Sequence, residues 1–348
     1  MSIQTLPTEI VQLIYLYAQS SHLQNVCKSF KQISQDTVTI TKSLLVKHLI
    51  WFPDDTIKRE VANDQWLHFV KDNEFNTNVA LTLFNLNYTD PNLIEIIAEY
   101  SASHGVSDLM EWMIHHAPFK PKGLSQLYKD RCLIQAAMFG HLKNVQLLLL
   151  ANANPKYDSD AALCMSSKYG HIDCVKMLLK YDTNIHVDDD YPLCWSSRHG
   201  FYDMVELLID AGANVNARRG CALHWAAEHG HIEIVRLLLD SGTNIHSNDD
   251  HALRWSAVHG HANIVKLLLS RGADIHANDD YALRNATKMQ RFDVLKFLVE
   301  AGANIHACND EAIKWSIQHK DLQALEILVP GYEFTDLVAS LESISLST

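Results

Sequence analysis

The sequence has few residues that interrupt regular structure and no long apolar run. It contains only 13 Gly and 8 Pro among 348 residues, too few for a collagen-like or linker-rich chain. Its longest apolar stretches, such as residues 145–151 around Gln146, are far shorter than the roughly 20 residues that cross a bilayer. With 47% hydrophobic and 20% charged residues, the composition is that of a folded protein.

Positive charge is also in deficit. The chain has 29 basic and 41 acidic residues and a formal net charge of −12, which argues against a nucleic-acid binder or a polybasic membrane surface. The N-terminus has no basic segment followed by an apolar core, so a signal peptide is not expected. We therefore predict an intracellular, cytoplasmic protein that binds neither nucleic acid nor membrane.

Sequence motifs for catalysis and metal binding are missing. The seven cysteines include no C-x-x-C pair, and an odd, scattered set suits a reducing compartment. There is no G-x-S-x-G, Walker, G-x-G-x-x-G or H-E-x-x-H motif. These absences predict a protein that is not an enzyme and that has no catalytic residue, no metal site and no cofactor.

What the sequence has instead is an internal repeat of 30 residues. Such a period indicates a supersecondary unit that buries its apolar face only against its neighbours. Two columns define the register: the glycines Gly140, Gly170, Gly200, Gly230 and Gly260, and the leucines from Leu148 to Leu328. Seven repeats fit this frame: 130–159, 160–189, 190–219, 220–249, 250–279, 280–309 and 310–339.

Each repeat is predicted to contain two helices and a loop. In the fifth repeat, residues 252–259 form a short helix, and Gly260 suits a helix end with positive φ. Apolar residues follow at helical spacing over 264–268. Gly272 would end the second helix, and residues 273–280 would form an extended turn.

Residues 222–242 carry the strongest resemblance to a known family. They read A-L-H-W-A-A-E-H-G-H-I-E-I-V-R-L-L-L-D-S-G, which resembles the ankyrin repeat, with its T-P-L-H-x-A-A-x-x-G-H and V-V-x-L-L-L-x-x-G-A consensus. Pro192 lies where that family has proline, at the start of the first helix. The resemblance implies an all-α ankyrin-repeat solenoid of helix-turn-helix units. The family period is 33, and alignment places the three missing residues at the hairpin tip, so shortened fingers are expected.

The repeats become irregular at both ends. Gln290 and Lys320 replace the turn glycine in the last two repeats. We predict an irregular first repeat over 91–129, a helical connector over 51–90 and a polar tail over 340–348. Residues 130–339 contain the seven regular repeats.

The first 50 residues resemble a different module. Leu6-Pro7-Thr-Glu-Ile10, followed by Val26-Cys-Lys-Ser-Phe30, resembles the F-box, which begins L-P-x-E-[ILV] and later carries V-C-[KR]-x-[WF]. The spacing from Leu23 to Val26 is about three residues shorter than in that family. A plain N-terminal helical cap remains the alternative for this segment.

Histidines and tryptophans recur in columns. Adjacent repeats stack at roughly 8–10 Å, so one column cannot share a zinc ion, whose ligands lie within about 2.3 Å. The imidazoles are instead predicted to bond to loop backbone between repeats. The same spacing argues against a Cys164–Cys194 disulfide. A tryptophan column is predicted to pack against the adjacent repeat: Trp195, Trp225, Trp255 and Trp315.

Two further columns are candidate binding surfaces. In ankyrin proteins the end of the first helix lines a concave groove and the fingers contact partners, so the resemblance implies a protein partner at both places. A solvated helix end and a solvated charge row are the alternatives. The acidic finger row, which Arg218 and Arg219 interrupt, implies a basic partner. The groove candidates are Tyr169, His199, His229 and His259, and the finger candidates are Asp189, Asp249 and Asp279.

The two resemblances together imply a function. The F-box resemblance implies a substrate-recruiting adaptor for a cullin-type ubiquitin ligase, in which Leu6, Pro7, Ile10 and Ile14 dock a Skp-type linker. The arrangement also resembles ankyrin proteins of large DNA viruses, which implies the host cytoplasm. The alternative is an ankyrin scaffold or inhibitor that acts by occupancy without ubiquitin linkage. In either case we expect a monomer.

Overall fold

The computed structural model describes residues 91–116 and 124–331. These residues form sixteen α-helices and no strand. The helices are α1 (Pro91–His104), α2 (Ser107–His116), α3 (Gln126–Met138), α4 (Leu142–Leu150), α5 (Tyr157–Lys168), α6 (Ile172–Leu179), α7 (Tyr191–His199), α8 (Tyr202–Asp210), α9 (Ala217–Glu228), α10 (Ile232–Asp240), α11 (Ser247–His259), α12 (Ala262–Ser270), α13 (Ala277–Lys288), α14 (Phe292–Glu300), α15 (Ala307–Gln318) and α16 (Leu322–Leu328).

The helices pair as the 30-residue period predicts, and the all-α repeat fold is confirmed. The chain divides into two compact units, residues 1–154 and 155–348. In the first unit, α1 packs on α3 and α2 packs on α4. In the second unit, the first helices of successive repeats pack side by side from α5 to α15, and the second helices form a further layer from α8 to α16.

The leucine column forms the centre of each helix pair. Leu148, Leu178, Leu208, Leu238, Leu268 and Leu298 have no exposed surface, and Leu328 is 2% exposed. The turn glycines adopt positive φ, for example +80° at Gly200 and +85° at Gly230. Gln290 and Lys320, which replace glycine, keep the same backbone with φ of +55° and +54°.

The predicted extended turn over 273–280 is wrong. Asn278, Asp279 and Asp280 have φ of +53°, +53° and +52°, which makes a single turn of left-handed helix immediately before the right-handed helix. L-residues pay roughly 1–2 kcal/mol for this conformation, least for Gly, Asn and Asp, and these types dominate the turns. The finger of each repeat is therefore one left-handed turn. The same turn recurs at 158–160, 188–190, 218–220, 248–250 and 308–310.

Several predicted segments lie outside the described residues. They are the module at 1–50 with Leu6, Pro7, Ile10 and Ile14, the connector at 51–90 and the tail at 340–348. The helix pair α1 and α2 lies within the irregular repeat predicted over 91–129. Among the described residues, no helix is long and apolar enough to cross a membrane.

Candidate functional site

A buried carboxylate fixes most of the fingers. The third residue of the left-handed turn points inward and accepts a hydrogen bond from the backbone N–H 24 residues later. Asp250, for example, is 4% exposed, and its Oδ1 lies 3.0 Å from the nitrogen of Asp274. His246 approaches the same carboxylate through Nδ1 at 3.2 Å. Asp160, Asp190 and Asp280 accept the equivalent bond. These aspartates hold the fingers together, and sequence reasoning did not separate them from their exposed neighbours.

The histidines that follow the turn glycines join one repeat to the preceding one. His231 donates from Nε2 to the carbonyl oxygen of Arg198 at 3.0 Å, and His261 does the same to Glu228 at 2.9 Å. The His231 ring lies so close to Gly200 that a Cβ there would come within 2.6 Å of it. The prediction that imidazoles bond to backbone between repeats is confirmed for this column, which is structural.

The four predicted groove residues are all on the surface, at the ends of first helices. Tyr169, His199, His229 and His259 are exposed. His199 and His229 each donate from Nδ1 to the carbonyl oxygen of the tryptophan four residues earlier, at 2.8 and 3.0 Å. His199 also stacks on Trp195, with 5.3 Å between ring centroids. The rings are thus held in place, and little side-chain entropy remains to be lost when a partner binds.

Positive charge and aromatic rings meet beside this row. The ammonium of Lys168 lies 4.5 Å from the ring centroid of Trp195. The guanidinium of Arg198 lies 5.0 Å from Trp195 and 5.2 Å from Trp225. The two indoles contact each other edge to face at 5.4 Å, which confirms packing between repeats for this pair. We call Lys168, Trp195, Arg198 and Trp225 the cation–aromatic patch.

The three predicted finger residues are exposed but are not equivalent. Asp189 accepts a hydrogen bond from the backbone N–H of Arg218 at 3.0 Å, and Arg218 forms an ion pair with Asp188 at 2.8 Å. The carboxylates of Asp249 and Asp279, by contrast, have no hydrogen bond or ion pair within the described residues. The free acidic surface is therefore narrower than the sequence predicted.

One pair of histidines was not foreseen. His224 and His251 lie in successive first helices with 4.6 Å between ring centroids. His224 is 7% exposed, and its Nε2 and the Nδ1 of His251 have no hydrogen-bond partner among the described residues. Burial, and then the neighbouring His251, lower the pKa of His224 to about 4. The only signal in the sequence was Gly220, which breaks the column of inward aspartates.

In the part of the chain that the structure describes, the histidines and cysteines form neither a metal site nor a disulfide. No three His, Cys, Asp or Glu side chains there are placed to hold a metal ion. Cys164 and Cys194 are both buried free thiols. Burial raises the pKa of Cys164 to about 12, which disfavours the reactive thiolate.

The stacked helix pairs, with rings and charges exposed along one row, define a repeat protein whose surface suits recognition of another protein. A family model described as ankyrin repeats (3 copies) matches residues 97–189, 133–219, 195–279 and 253–337. These matches cover well over half of the chain, which therefore belongs to the ankyrin-repeat family. Ankyrin repeats identify it as a protein–protein interaction module. A comparison with curated proteins finds no match.

Proposed function

We propose that this protein is a substrate-recruiting adaptor of a cullin-type ubiquitin ligase. In this proposal the second unit holds a protein partner, and residues 1–50 dock a Skp-type linker through Leu6, Pro7, Ile10 and Ile14. The observation that carries the first half is the ordered row of exposed rings at Tyr169, His199, His229 and His259. The F-box resemblance supports the second half, and the resemblance to ankyrin proteins of large DNA viruses favours the host cytoplasm.

The exposed row has the properties that a recognition surface needs. Tyr169 is 44% exposed although its ring is apolar, and aromatic residues are enriched at the cores of interfaces. His199 and His229 are held by bonds to backbone carbonyls, so they present a fixed shape. The free carboxylates of Asp249 and Asp279 add negative charge that would attract a basic segment of the partner.

The adaptor half is tested with the full chain. Leu6, Pro7 and Ile14 are changed together to Ala, and capture of a purified Skp-type linker and of the partner are measured side by side. We expect linker capture to be lost and partner capture to persist, because the repeats over 130–331 stack on their own neighbours. If the wild type never captures the linker, the adaptor proposal is wrong, and a scaffold or inhibitor that acts by occupancy takes its place.

The partner half is tested through charge. Changing Asp249 and Asp279 to Asn should slow association more than it speeds dissociation, since charge complementarity acts mainly on the on-rate. Glu206→Gln, which removes an exposed carboxylate from the second-helix layer, is the matched control. An association rate that is unchanged between about 50 and 200 mM salt would exclude the fingers from the interface.

A further inference from the structure

The second unit presents both cations and exposed carboxylates on its first helices and fingers. Lys168 and Arg198 lie in its first two repeats, and the free carboxylates Asp249 and Asp279 lie in later ones. We propose that the cation–aromatic patch binds an acidic, aromatic-containing segment of the partner protein. This inference rests on the proposed function, because it assumes that the first helices hold a partner.

The cations of the patch have rings beside them but no counter-ion. Lys168 lies over Trp195, and Arg198 lies between Trp195 and Trp225. Neither side chain forms an ion pair or donates a hydrogen bond within the described residues. All four residues are half-buried, so the charges are partly shielded from water, and an incoming carboxylate would meet strong donors without displacing an internal acceptor.

Three other cations on the same helix layer already have polar partners, which distinguishes them from Lys168 and Arg198. Arg254 also lies over a ring, that of Tyr281 at 5.1 Å, but it donates to the carbonyl oxygens of Asn248 and Asp249 at 2.7 Å each. Arg284 and Lys288 both bind the carboxylate of Glu311. Arg254, Arg284 and Lys288 are therefore satisfied internally, whereas Lys168 and Arg198 are not.

The surroundings favour a short acidic segment over a nucleic acid. Arg219 is exposed on the adjacent finger, has no bonding partner in the part of the chain that the structure describes, and extends the positive surface by one charge. Beyond it, Glu228 follows Arg198 in its column, and Asp249 and Asp279 are exposed. A continuous polyanion would run onto these carboxylates and be repelled, as would be expected for a chain of net charge −12. A short acidic segment of a protein would fit the patch and end before them.

The residue types of the patch also favour a protein segment. Trp, Tyr and Arg dominate the hot spots of protein interfaces. Tyr191 contacts Trp195 at 5.5 Å, and the guanidinium of Arg218 lies over Tyr191 at 5.5 Å. Arg218 is itself paired with Asp188, so the patch continues into a further ring, Tyr191, which would accommodate an aromatic residue next to the carboxylates.

The test uses the full chain and three fluorescein-labelled probes: a short peptide rich in Glu and Phe, the same peptide with Lys in place of Glu, and a single-stranded oligothymidine. Binding is followed by anisotropy and by the fluorescence of the tryptophans. We expect the acidic peptide alone to bind and to change tryptophan emission. The Lys168→Glu/Arg198→Glu variant should weaken binding by about tenfold or more, because it places like charges together.

Two controls keep the result interpretable. Lys168→Met/Arg198→Met keeps the apolar stems that cover the indoles and removes only the charges, so it should weaken binding while the helical circular dichroism is unchanged. Lys266→Glu changes a cation over another ring, Phe297 at 5.3 Å in the second-helix layer, and should leave binding unaffected.

Three results would overturn the inference: no binding of the acidic peptide, equal binding by wild type and charge variants, or stronger binding of the oligothymidine at the patch. The proposed function fails separately. It fails if cross-linking of the captured partner finds no contact with the row from Tyr169 to His259. The inference alone fails if those contacts persist and neither charge variant weakens them.

Discussion

The fingers at 248–250 and 218–220 use different side chains to accept a hydrogen bond from the equivalent backbone N–H. Both are left-handed turns, and both lie next to a backbone N–H that needs an acceptor. In the first, the buried carboxylate of Asp250 accepts from Asp274. In the second, Gly220 has no side chain, and the amide oxygen of Asn216 accepts from the nitrogen of Asn244 at 2.7 Å. The requirement is set by the backbone, and the side chain that meets it is interchangeable.

The glycine that replaces the inward aspartate at position 220 also changes the contacts around this finger. Asn216 occupies the position that holds His246 in the aspartate finger, so two positions change together. Ser247 lies 3.1 Å from where a Cβ of Gly220 would be, and His224 Nε2 lies 3.6 Å from it. The finger without a carboxylate thus lies beside the buried His224, whose Nε2 has no partner within the described ranges. We infer that the 218–220 finger is the acid-sensitive one.

The largest expected effect comes from a substitution in the buried core between the two fingers. Leu238 lies in α10, between the two fingers, and is fully buried. Its carbonyl oxygen also accepts from Thr243 Oγ1 at 2.8 Å. Leu238→Ala should lower the free energy of unfolding by about 2–5 kcal/mol, measured by chemical denaturation. A negligible shift of the midpoint would contradict the register of the repeats.

The second effect is pH-dependent. Burial lowers the folded pKa of His224 to about 4, below the ordinary histidine value of about 6.5, so the unfolded chain binds the proton more tightly. The contribution of His224 to the free energy of unfolding is therefore fully present above pH 6.5. It is lost as the pH falls towards 4, by at most roughly 3 kcal/mol. His224→Gln should flatten this part of the profile.

The control for that measurement is His229→Gln, which changes an exposed histidine one helical turn away. It controls for the general effect of replacing a histidine at the end of the same helix. Burial also lowers the pKa of His251 and of His231, so His224→Gln should reduce the acid slope without abolishing it. An identical slope in His224→Gln and wild type would show that the 218–220 finger is no more acid-sensitive than the others.

The third effect tests whether the two finger designs are interchangeable. Gly220→Asp alone should destabilise, because Asn216 already satisfies the Asn244 N–H and the new Cβ would lie only 3.1 Å from Ser247. Adding Asn216→His should restore the aspartate design. A double-mutant cycle should give a favourable coupling of about 1 kcal/mol, and strictly additive changes would show that the two positions are independent.

These comparisons show where sequence reasoning succeeds and where it ends. The helix pairs, the buried leucines and the positive φ of Gly200 and Gly230 follow from a single period, since every repeat must stack on an equivalent neighbour. The left-handed turn was not predicted, because a run such as Asp188-Asp-Asp190 suits an exposed loop of any shape.

The sequence likewise predicted only part of the candidate site. The exposure of Tyr169 and Asp249 follows from their place in the repeat. The pairing of His224 with His251, and of Lys168 with Trp195, was not predictable. Each pair joins residues 27 positions apart in the sequence, and this offset depends on how one first helix stacks on the next.

The smallest expected effect extends the comparison to the turn glycines. At Gly260 the side chain of Arg291 lies 2.8 Å from where a Cβ would be, so any larger residue would force Arg291 to move. At Gln290 the corresponding residue of the next repeat is Asp321, and Gln290 Nε2 donates to its Oδ2 at 3.1 Å. The shorter Asp321 leaves room for a side chain, and the hydrogen bond offsets part of the cost of a φ of +55°.

Gln290→Gly should therefore stabilise by no more than about 1 kcal/mol, since relief of the left-handed strain exceeds the loss of one partly exposed hydrogen bond. Gln290→Ala, which loses the bond and keeps the strain, should destabilise. Denaturation midpoints in the order Gly, wild type, Ala would support this balance, and a midpoint for Gln290→Gly below that of Gln290→Ala would show that the contact with Asp321 outweighs the backbone.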